Sequence, residues 1–181
     1  MFDQSISDAA YWPDELSRGD IVLFRFPAVE SGLNAAKMRP CLVLDLHGHG
    51  NNRRATLAYG TSAQTAANRG YEIWVKRRSS MATAGLNRPT RFVGSRRIST
   101  LLCQDDFRSG PLGSPVIGKL DDYLLKRMHA IRARLQADHD IAMETLQEKR
   151  DEHKRWLCED SASASRELSK SALPRLREGV A

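Results

Sequence analysis

The sequence predicts a mainly β fold with some α structure: a small β-barrel followed by a long C-terminal helical extension. Six or seven short apolar runs at close spacing fall within residues 18–120, and a loop of about a dozen residues, Pro27 to Met38, lies near their start. These two features are typical of a small barrel of the SH3-like kind. The chain then contains no Gly or Pro from Asp121 to Cys158, which predicts a helix.

The strands are predicted from runs of β-branched, aromatic and aliphatic residues bounded by turn residues. The run at 40–46 is nearly continuous in apolar side chains, as expected for a strand buried on both faces. Pro40 suits a first strand position, because proline has no N–H to give to a ladder. Residues 76–80 are interpreted as a turn. The predicted strands are residues 20–26, 40–46, 55–60, 71–75, 90–93, 95–101 and 116–120.

The predicted helix begins at Asp121, a favourable N-cap, and carries a leucine at every eleventh residue. An 11-residue period is typical of a nearly straight helix with an apolar stripe, which we expect to pack on the barrel or on a second copy. Residues 138–140 interrupt the stripe, so a kink is an alternative there. The stripe leucines are Leu124, Leu135, Leu146 and Leu157.

Four segments are predicted from these patterns. Residues 1–17 form an N-terminal arm, residues 18–120 the barrel and residues 121–158 the long helix. Residues 159–181 form a linker followed by a mobile tail, because the stretch 159–165 is rich in Ser, Asp and Glu.

Composition favours a cytoplasmic protein with one modest core. The hydrophobic fraction is 41%, and no apolar run approaches the roughly 20 residues that span a bilayer. The first 16 residues lack the apolar centre of a secretory signal. Cys41, Cys103 and Cys158 are widely spaced and odd in number, which argues against a disulfide framework.

The positive charge of the chain is concentrated in its β-rich part. Residues 53–97 contain ten Lys and Arg and a single acid, Glu72, and the net charge of the chain is +6. A basic surface of this kind is typical of a protein that binds nucleic acid. A dock for an acidic protein, or a solvated basic face, would have the same composition.

Two predicted strand ends carry residues suited to a phosphodiester. Arg39 begins the strand at 40–46, while Thr61 and Ser62 follow the strand at 55–60. If these strands are neighbours, the guanidinium and the hydroxyls converge at one rim of the sheet. Arginine binds phosphate through two parallel hydrogen bonds, to which a hydroxyl can add a third. The alternative is an arginine at a strand end and ordinary turn chemistry at the two hydroxyls.

The order of several short motifs resembles the PemK/MazF toxins of bacterial toxin–antitoxin systems. The resemblance covers roughly residues 17–135. Its motifs are Arg18-Gly19-Asp20, Arg39-Pro40 before an aliphatic strand, Thr61-Ser62-Ala63-Gln64, the stretch 85–90, Arg97-Ile98, and the stretch 117–121 that opens a helix. The resemblance implies a homodimer that cleaves single-stranded messenger RNA and is held by an antitoxin protein.

The implied chemistry is metal-independent and uses no cofactor. RNA supplies its own nucleophile, the 2′-hydroxyl, and the products are a 2′,3′-cyclic phosphate and a 5′-hydroxyl. The resemblance assigns Arg39 to the scissile phosphate and Thr61 or Ser62 to a hydrogen bond with the phosphate or the 2′-oxygen. Flanking phosphates or bases would be bound by Asn34, Arg91, Arg96 and Arg97.

The general base is left open by the sequence. Some family members have a carboxylate in the first loop, where this chain has Asn34, and another after the arginine that corresponds to Arg91. Glu30 and His47 are the candidates, and catalysis without a dedicated base is the third alternative. Two other functions stay open: a non-catalytic toxin that binds a protein such as gyrase, and a regulator that binds DNA or RNA without cleaving it.

No metal site is predicted. His47 and His49 alternate with glycine, but no third ligand lies near them in the sequence, and no clustered acids could bind two magnesium ions.

Overall fold

A computed structural model describes residues 12–27, 36–65, 68–110 and 113–171. Its centre is a six-stranded antiparallel sheet, curled into a half-barrel, with the strand order β4-β5-β3-β2-β1-β6. The strands are β1 (Asp20–Phe26), β2 (Lys37–His47), β3 (Arg54–Thr61), β4 (Glu72–Val75), β5 (Thr90–Leu101) and β6 (Val116–Lys119).

Within the described ranges, three α-helices accompany the sheet: α1 (Trp12–Glu15), α2 (Arg78–Thr83) and α3 (Asp122–Ser171), with a short 3-10 turn at Gly50–Asn52. The predicted combination of a β-sheet with a long C-terminal helix is confirmed, but the described residues form a mixed α/β structure and not a mainly β one. None of the helices in the described ranges has the length and apolarity needed to cross a bilayer.

Strand β5 joins the two strands predicted at 90–93 and 95–101. Its pairing with β3 passes from Arg97 opposite Ala58 to Val93 opposite Tyr59, so residues 94–96 form a bulge. A Cβ on Gly94 would lie 3.0–3.2 Å from side chains of α3 and from the Tyr71 carbonyl oxygen. Glycine therefore lets the strand continue under the helix where the sequence suggested a break.

The sheet buries apolar side chains on both of its faces. One face packs on residues 122–135 of α3; we call this core A, and it contains Ile21, Leu42, Leu44, Ala58, Ile73, Val75, Phe92, Leu124, Met128, Ile131 and Leu135. The other face forms core B, which contains Leu16, Val22, Phe24, Phe26, Cys41, Val43, Ala55, Leu57 and Leu102. The prediction that strand 40–46 is buried on both sides is confirmed.

Helix α3 differs from the prediction at its C-terminal end. It continues to Ser171, so residues 159–165 are helical and the predicted linker is wrong. The leucine stripe divides: Leu124 and Leu135 are 7% and 8% exposed, whereas Leu146 and Leu157 are 56% and 49% exposed. The first two lie in the compact unit that ends at Leu135, and the last two lie in a second unit that begins at Gln136. Core A thus accounts for the stripe only in the first unit.

The N-terminus of α3 is fixed by Asp121. Its Oδ1 accepts a 2.9 Å hydrogen bond from the Leu124 amide, and its Oδ2 accepts one from the Ser80 hydroxyl of α2. The bond from Ser80, followed by that from the Leu124 amide, holds the pKa of Asp121 below its ordinary value. The cap therefore links the start of α3 to α2.

We expect Asp121→Ala to lower the free energy of unfolding by about 1 kcal/mol at pH 7, the usual cost of losing an N-cap. Because the folded-state pKa is lowered, the stabilisation by ionised Asp121 is present above about pH 4, the ordinary value, and is lost as the pH falls through the folded-state pKa. Urea unfolding between pH 7 and pH 3 measures this. Asp121→Asn is the matched control, since asparagine still caps but carries no charge; equal stability of all three proteins at pH 7 would contradict the assignment.

Candidate nucleic-acid interface

Strand pairing places a set of polar and aromatic residues on one face of the sheet. Thr61 of β3 is opposite Arg91 of β5, which is opposite Trp74 of β4. Directly opposed residues share a face, and so do residues two apart on one strand. Tyr59 and Glu72, two residues from Thr61 and Trp74, therefore lie on this face too. This face is the one that carries core B, because Leu57 of core B is two residues from Tyr59 on β3 and so points to the same side.

Arg39 reaches the same end of the sheet from β2. The register between β2 and β3 pairs Leu42 with Ala58 and Cys41 with Tyr59, and its continuation brings Arg39 level with Thr61. At Gly60 the two strands are in close contact, since a Cβ there would lie 2.1 Å from the Pro40 carbonyl oxygen. The predicted convergence of a strand-start arginine and a strand-end threonine thus agrees with the pairing.

Tyr59 is the centre of an aromatic and basic group that we call the Tyr59 cluster: Phe26, Arg39, Tyr59 and Arg96. The guanidinium carbons of Arg39 and Arg96 lie 5.1 Å and 4.1 Å from the centre of the Tyr59 ring. The Phe26 ring meets Tyr59 edge-on at 5.1 Å. Arg96 belongs to the β5 bulge, which explains how a residue without a direct partner on β3 comes to lie over that ring. Two guanidinium groups and a half-buried ring form a surface suited to a base and its phosphates.

A second aromatic residue, Trp74, lies on the edge strand β4. The Lys76 ammonium is 4.1 Å and the Arg91 guanidinium carbon 5.6 Å from its ring centre. The indole Nε1 donates a 2.8 Å hydrogen bond to Glu72, which fixes the ring on the sheet. Trp74 is half-buried and Lys76 is exposed.

Arg91, a predicted RNA-binding residue, is held within the protein. Its side chain is 4% exposed and forms a 2.7 Å ion pair with Glu72. It also donates to the carbonyl and hydroxyl oxygens of Thr65, each at 2.8 Å. These contacts tie β4 and β5 to the segment after β3, so we assign Arg91 a positioning role in the site.

The two predicted hydroxyl residues lie at the C-terminal end of β3. Thr61 Oγ1 accepts a 3.1 Å hydrogen bond from the Ala63 amide, which is the turn chemistry weighed as the alternative role. Because Thr61 Oγ1 is the acceptor in this bond, its hydroxyl group can still donate a hydrogen bond to a phosphate. Ser62 is exposed in the turn that follows.

Arg96 and Arg97, predicted as a pair, point to opposite faces of β5. Arg97 is exposed and opposes Ala58, whose side chain belongs to core A. Its neighbour Ile98 packs against core B, on the same face as Arg96. Only Arg96 of this pair joins the Tyr59 cluster.

His47 lies far from Arg39, at the other end of β2. The eight residue steps from Arg39 to His47 correspond to about 26 Å of extended strand. His47 is 3.8 Å from Asp45, which also binds Arg18 and Arg132. Burial acts to raise the pKa of Asp45, but the hydrogen bonds from Arg132 and Arg18 outweigh it and hold the pKa below its ordinary value. His47 therefore belongs to this separate ionic cluster.

Two predicted residues, Glu30 and Asn34, lie outside the described residues, as does most of the loop at 27–38. The described part of the chain contains no group of three His, Cys, Asp or Glu side chains placed to bind a metal ion.

The sequence did not single out Tyr59, Trp74 and Lys76 as candidates for this interface. A signal for Trp74 was present: Ile73 and Val75 are apolar neighbours, so strand alternation sends Trp74 to the opposite face. The contact between Tyr59 and Arg96 had no such signal, because it depends on the bulge in β5.

Comparison with models of known protein families finds no match, and no curated protein sequence matches the chain.

Proposed function

We propose that the chain is a PemK/MazF-like endoribonuclease that cleaves single-stranded RNA without a metal ion. The observation that carries the proposal is the Tyr59 cluster beside Thr61. It combines two guanidinium groups, a hydroxyl and an aromatic ring on one face of a small curled sheet. The guanidinium groups can bind the phosphates of a single strand, and the aromatic ring can stack on a base of any sequence.

In this proposal the RNA 2′-hydroxyl attacks the adjacent phosphorus and displaces the 5′-oxygen of the next nucleotide. Arg39 neutralises the charge that develops on the phosphate oxygens, and Thr61 donates a hydrogen bond to the same group. Arg96 binds a flanking phosphate. The proton from the 2′-hydroxyl passes to a general base that the described residues do not identify; of Glu30 and His47, Glu30 is the candidate that remains. The leaving 5′-oxygen takes a proton from solvent to form the 5′-hydroxyl.

The proposal includes the partners that the resemblance implies: a second copy of the chain, with RNA in a groove between two SH3-like barrels of the PemK type, and an acidic antitoxin. The basic excess of residues 53–97 is suited to either polyanion.

Incubation of the purified protein with long RNA in EDTA tests the proposal. We expect fragments that end in a 2′,3′-cyclic phosphate and begin with a 5′-hydroxyl. RNA that stays intact, while the protein is folded and the RNA is bound, would contradict cleavage.

A second candidate, an RNA-binding regulator without nuclease activity, is favoured by one observation. Among the residues that the structure describes, Arg39 forms no ion pair with a carboxylate, and Glu72, an acid at the same end of this face, is engaged by Arg91. A site with two arginines and no adjacent base binds a phosphodiester without activating the 2′-hydroxyl. The EDTA experiment separates the two candidates.

Salt dependence gives a test with a matched control. We expect Arg96→Gln to lower the slope of log affinity against log salt by about 0.7, the value for one phosphate contact on a single strand. Arg97→Gln should have little effect on the slope, because the Arg97 side chain projects from the opposite face of β5. Fluorescence anisotropy of an oligonucleotide made uncleavable by 2′-methoxy groups measures both. Equal slopes for the two variants would contradict the assignment of the RNA to the Tyr59 face.

A further inference from the structure

We propose that Trp74 is a second base-stacking subsite, and that the single strand runs from the Tyr59 cluster across β5 to the edge strand β4. This inference deepens the proposed function and rests on its RNA-binding part, whichever way the cleavage question is resolved.

The two rings lie on the same face with a defined offset. Tyr59 on β3 is opposite Val93 of β5, and Trp74 on β4 is opposite Arg91 of β5. The two rings are therefore two strands apart across the sheet and two residues apart along it. This offset corresponds to about 10 Å across the sheet and about 7 Å along it. A short stretch of extended single strand covers such a distance diagonally.

The surroundings of Trp74 are suited to a nucleotide. The ring is half-buried and held edgewise by the bond from Nε1 to Glu72, so its orientation is fixed before a ligand binds. Exposed Lys76 lies over the ring at 4.1 Å. A stacked base displaces this ammonium, since base–aromatic stacking is stronger than an exposed cation–π contact. The ammonium is then available to the phosphate of the same nucleotide.

Arg91 links the two subsites. It is opposite both Thr61 and Trp74. Its ion pair with Glu72 joins β5 to β4, and its hydrogen bonds to Thr65 join β5 to the segment after β3. The buried Arg91–Glu72 pair thus supports the surface along which we place the RNA. The side chains that contact the RNA are those of the Tyr59 cluster, Trp74 and Lys76.

Tryptophan fluorescence reports on this subsite directly. The chain has three tryptophans, so Trp12→Phe with Trp156→Phe leaves Trp74 as the single reporter. We expect a 2′-methoxy oligonucleotide to quench its emission on binding. An oligonucleotide of equal length with abasic sites should bind through its phosphates without that quenching.

Affinity gives the second readout. Trp74→Ala should weaken binding of the 2′-methoxy oligonucleotide by about 5- to 150-fold, the range expected for the loss of one stacked base. Trp74→Phe keeps an aromatic face and should stay within about threefold. It also retains the bulk of the side chain, which guards against a folding defect in the alanine variant. Lys76→Ala should reduce the salt slope while the quenching persists.

The outcomes separate this inference from the proposed function. Tight binding with unchanged Trp74 emission and an unaffected Trp74→Ala variant would overturn the subsite and leave RNA binding by the Tyr59 cluster intact. Quenching by RNA that is never cleaved supports the subsite and overturns the nuclease activity. Failure of the folded protein to bind any oligonucleotide would overturn both.

Discussion

Replacing Arg39 with alanine is expected to abolish RNA cleavage while leaving the fold intact. The guanidinium is half-buried at the start of β2, beside the Tyr59 ring and level with Thr61. Loss of one such stabilising group in a phosphoryl-transfer site lowers the rate constant by about 10²–10³-fold. Single-turnover cleavage of a labelled RNA at saturating protein measures this, with thermal unfolding recorded in parallel.

Arg54→Ala is the matched control for that variant. Arg54 is an exposed arginine at the other end of the neighbouring strand β3, opposite His47. The Arg54→Ala variant loses the same charge as Arg39→Ala. Its cleavage rate should stay within about threefold of wild type, because Arg54 lies outside the contacts to the transition state. Full activity of a folded Arg39→Ala protein would remove Arg39 from the reaction.

The largest loss of stability is expected from Arg91→Ala, which leaves Glu72 charged and nearly buried without its ion-pair partner. Breaking a buried pair in this way costs about 3–5 kcal/mol. The side chains of Arg91 and Glu72 are only 4% and 10% exposed, so solvent replaces little of the lost interaction. Urea unfolding at pH 7 measures the change.

The double variant Glu72→Ala with Arg91→Ala separates the charge effect from simple truncation. If the ion pair dominates, the double variant is more stable than Arg91→Ala alone, because no uncompensated carboxylate remains. Additive losses would indicate that the hydrogen bonds from Arg91 to Thr65 dominate instead. A stable Arg91→Ala protein with weakened RNA binding would contradict the positioning role and restore the role expected from the sequence.

Arg91 shows what a charge pattern leaves undecided. Ten basic residues within residues 53–97 predict a polyanion partner, yet the single acid in that segment pairs with one of them in the interior. Sequence distance gave no indication of this pairing, since Glu72 and Arg91 are 19 residues apart and meet only because β4 and β5 are antiparallel. The same pairing brings Trp74 onto the face that Thr61 occupies.

The sequence by itself determined most of the strands, the start of the long helix, and the positions of Arg39 near the start of β2 and Thr61 at the end of β3. Those features follow from local rules: period-2 alternation, the lack of an N–H in Pro40, and the carboxylate cap at Asp121. Tertiary structure decided which residues share the site. Strand order and register placed Tyr59, Arg96 and Trp74 around one surface and sent Arg97 to the opposite face, while the length of β2 separated His47 from Arg39. The physical reason is that a single bulge shifts every later side chain in a strand, and such shifts arise from packing between distant segments.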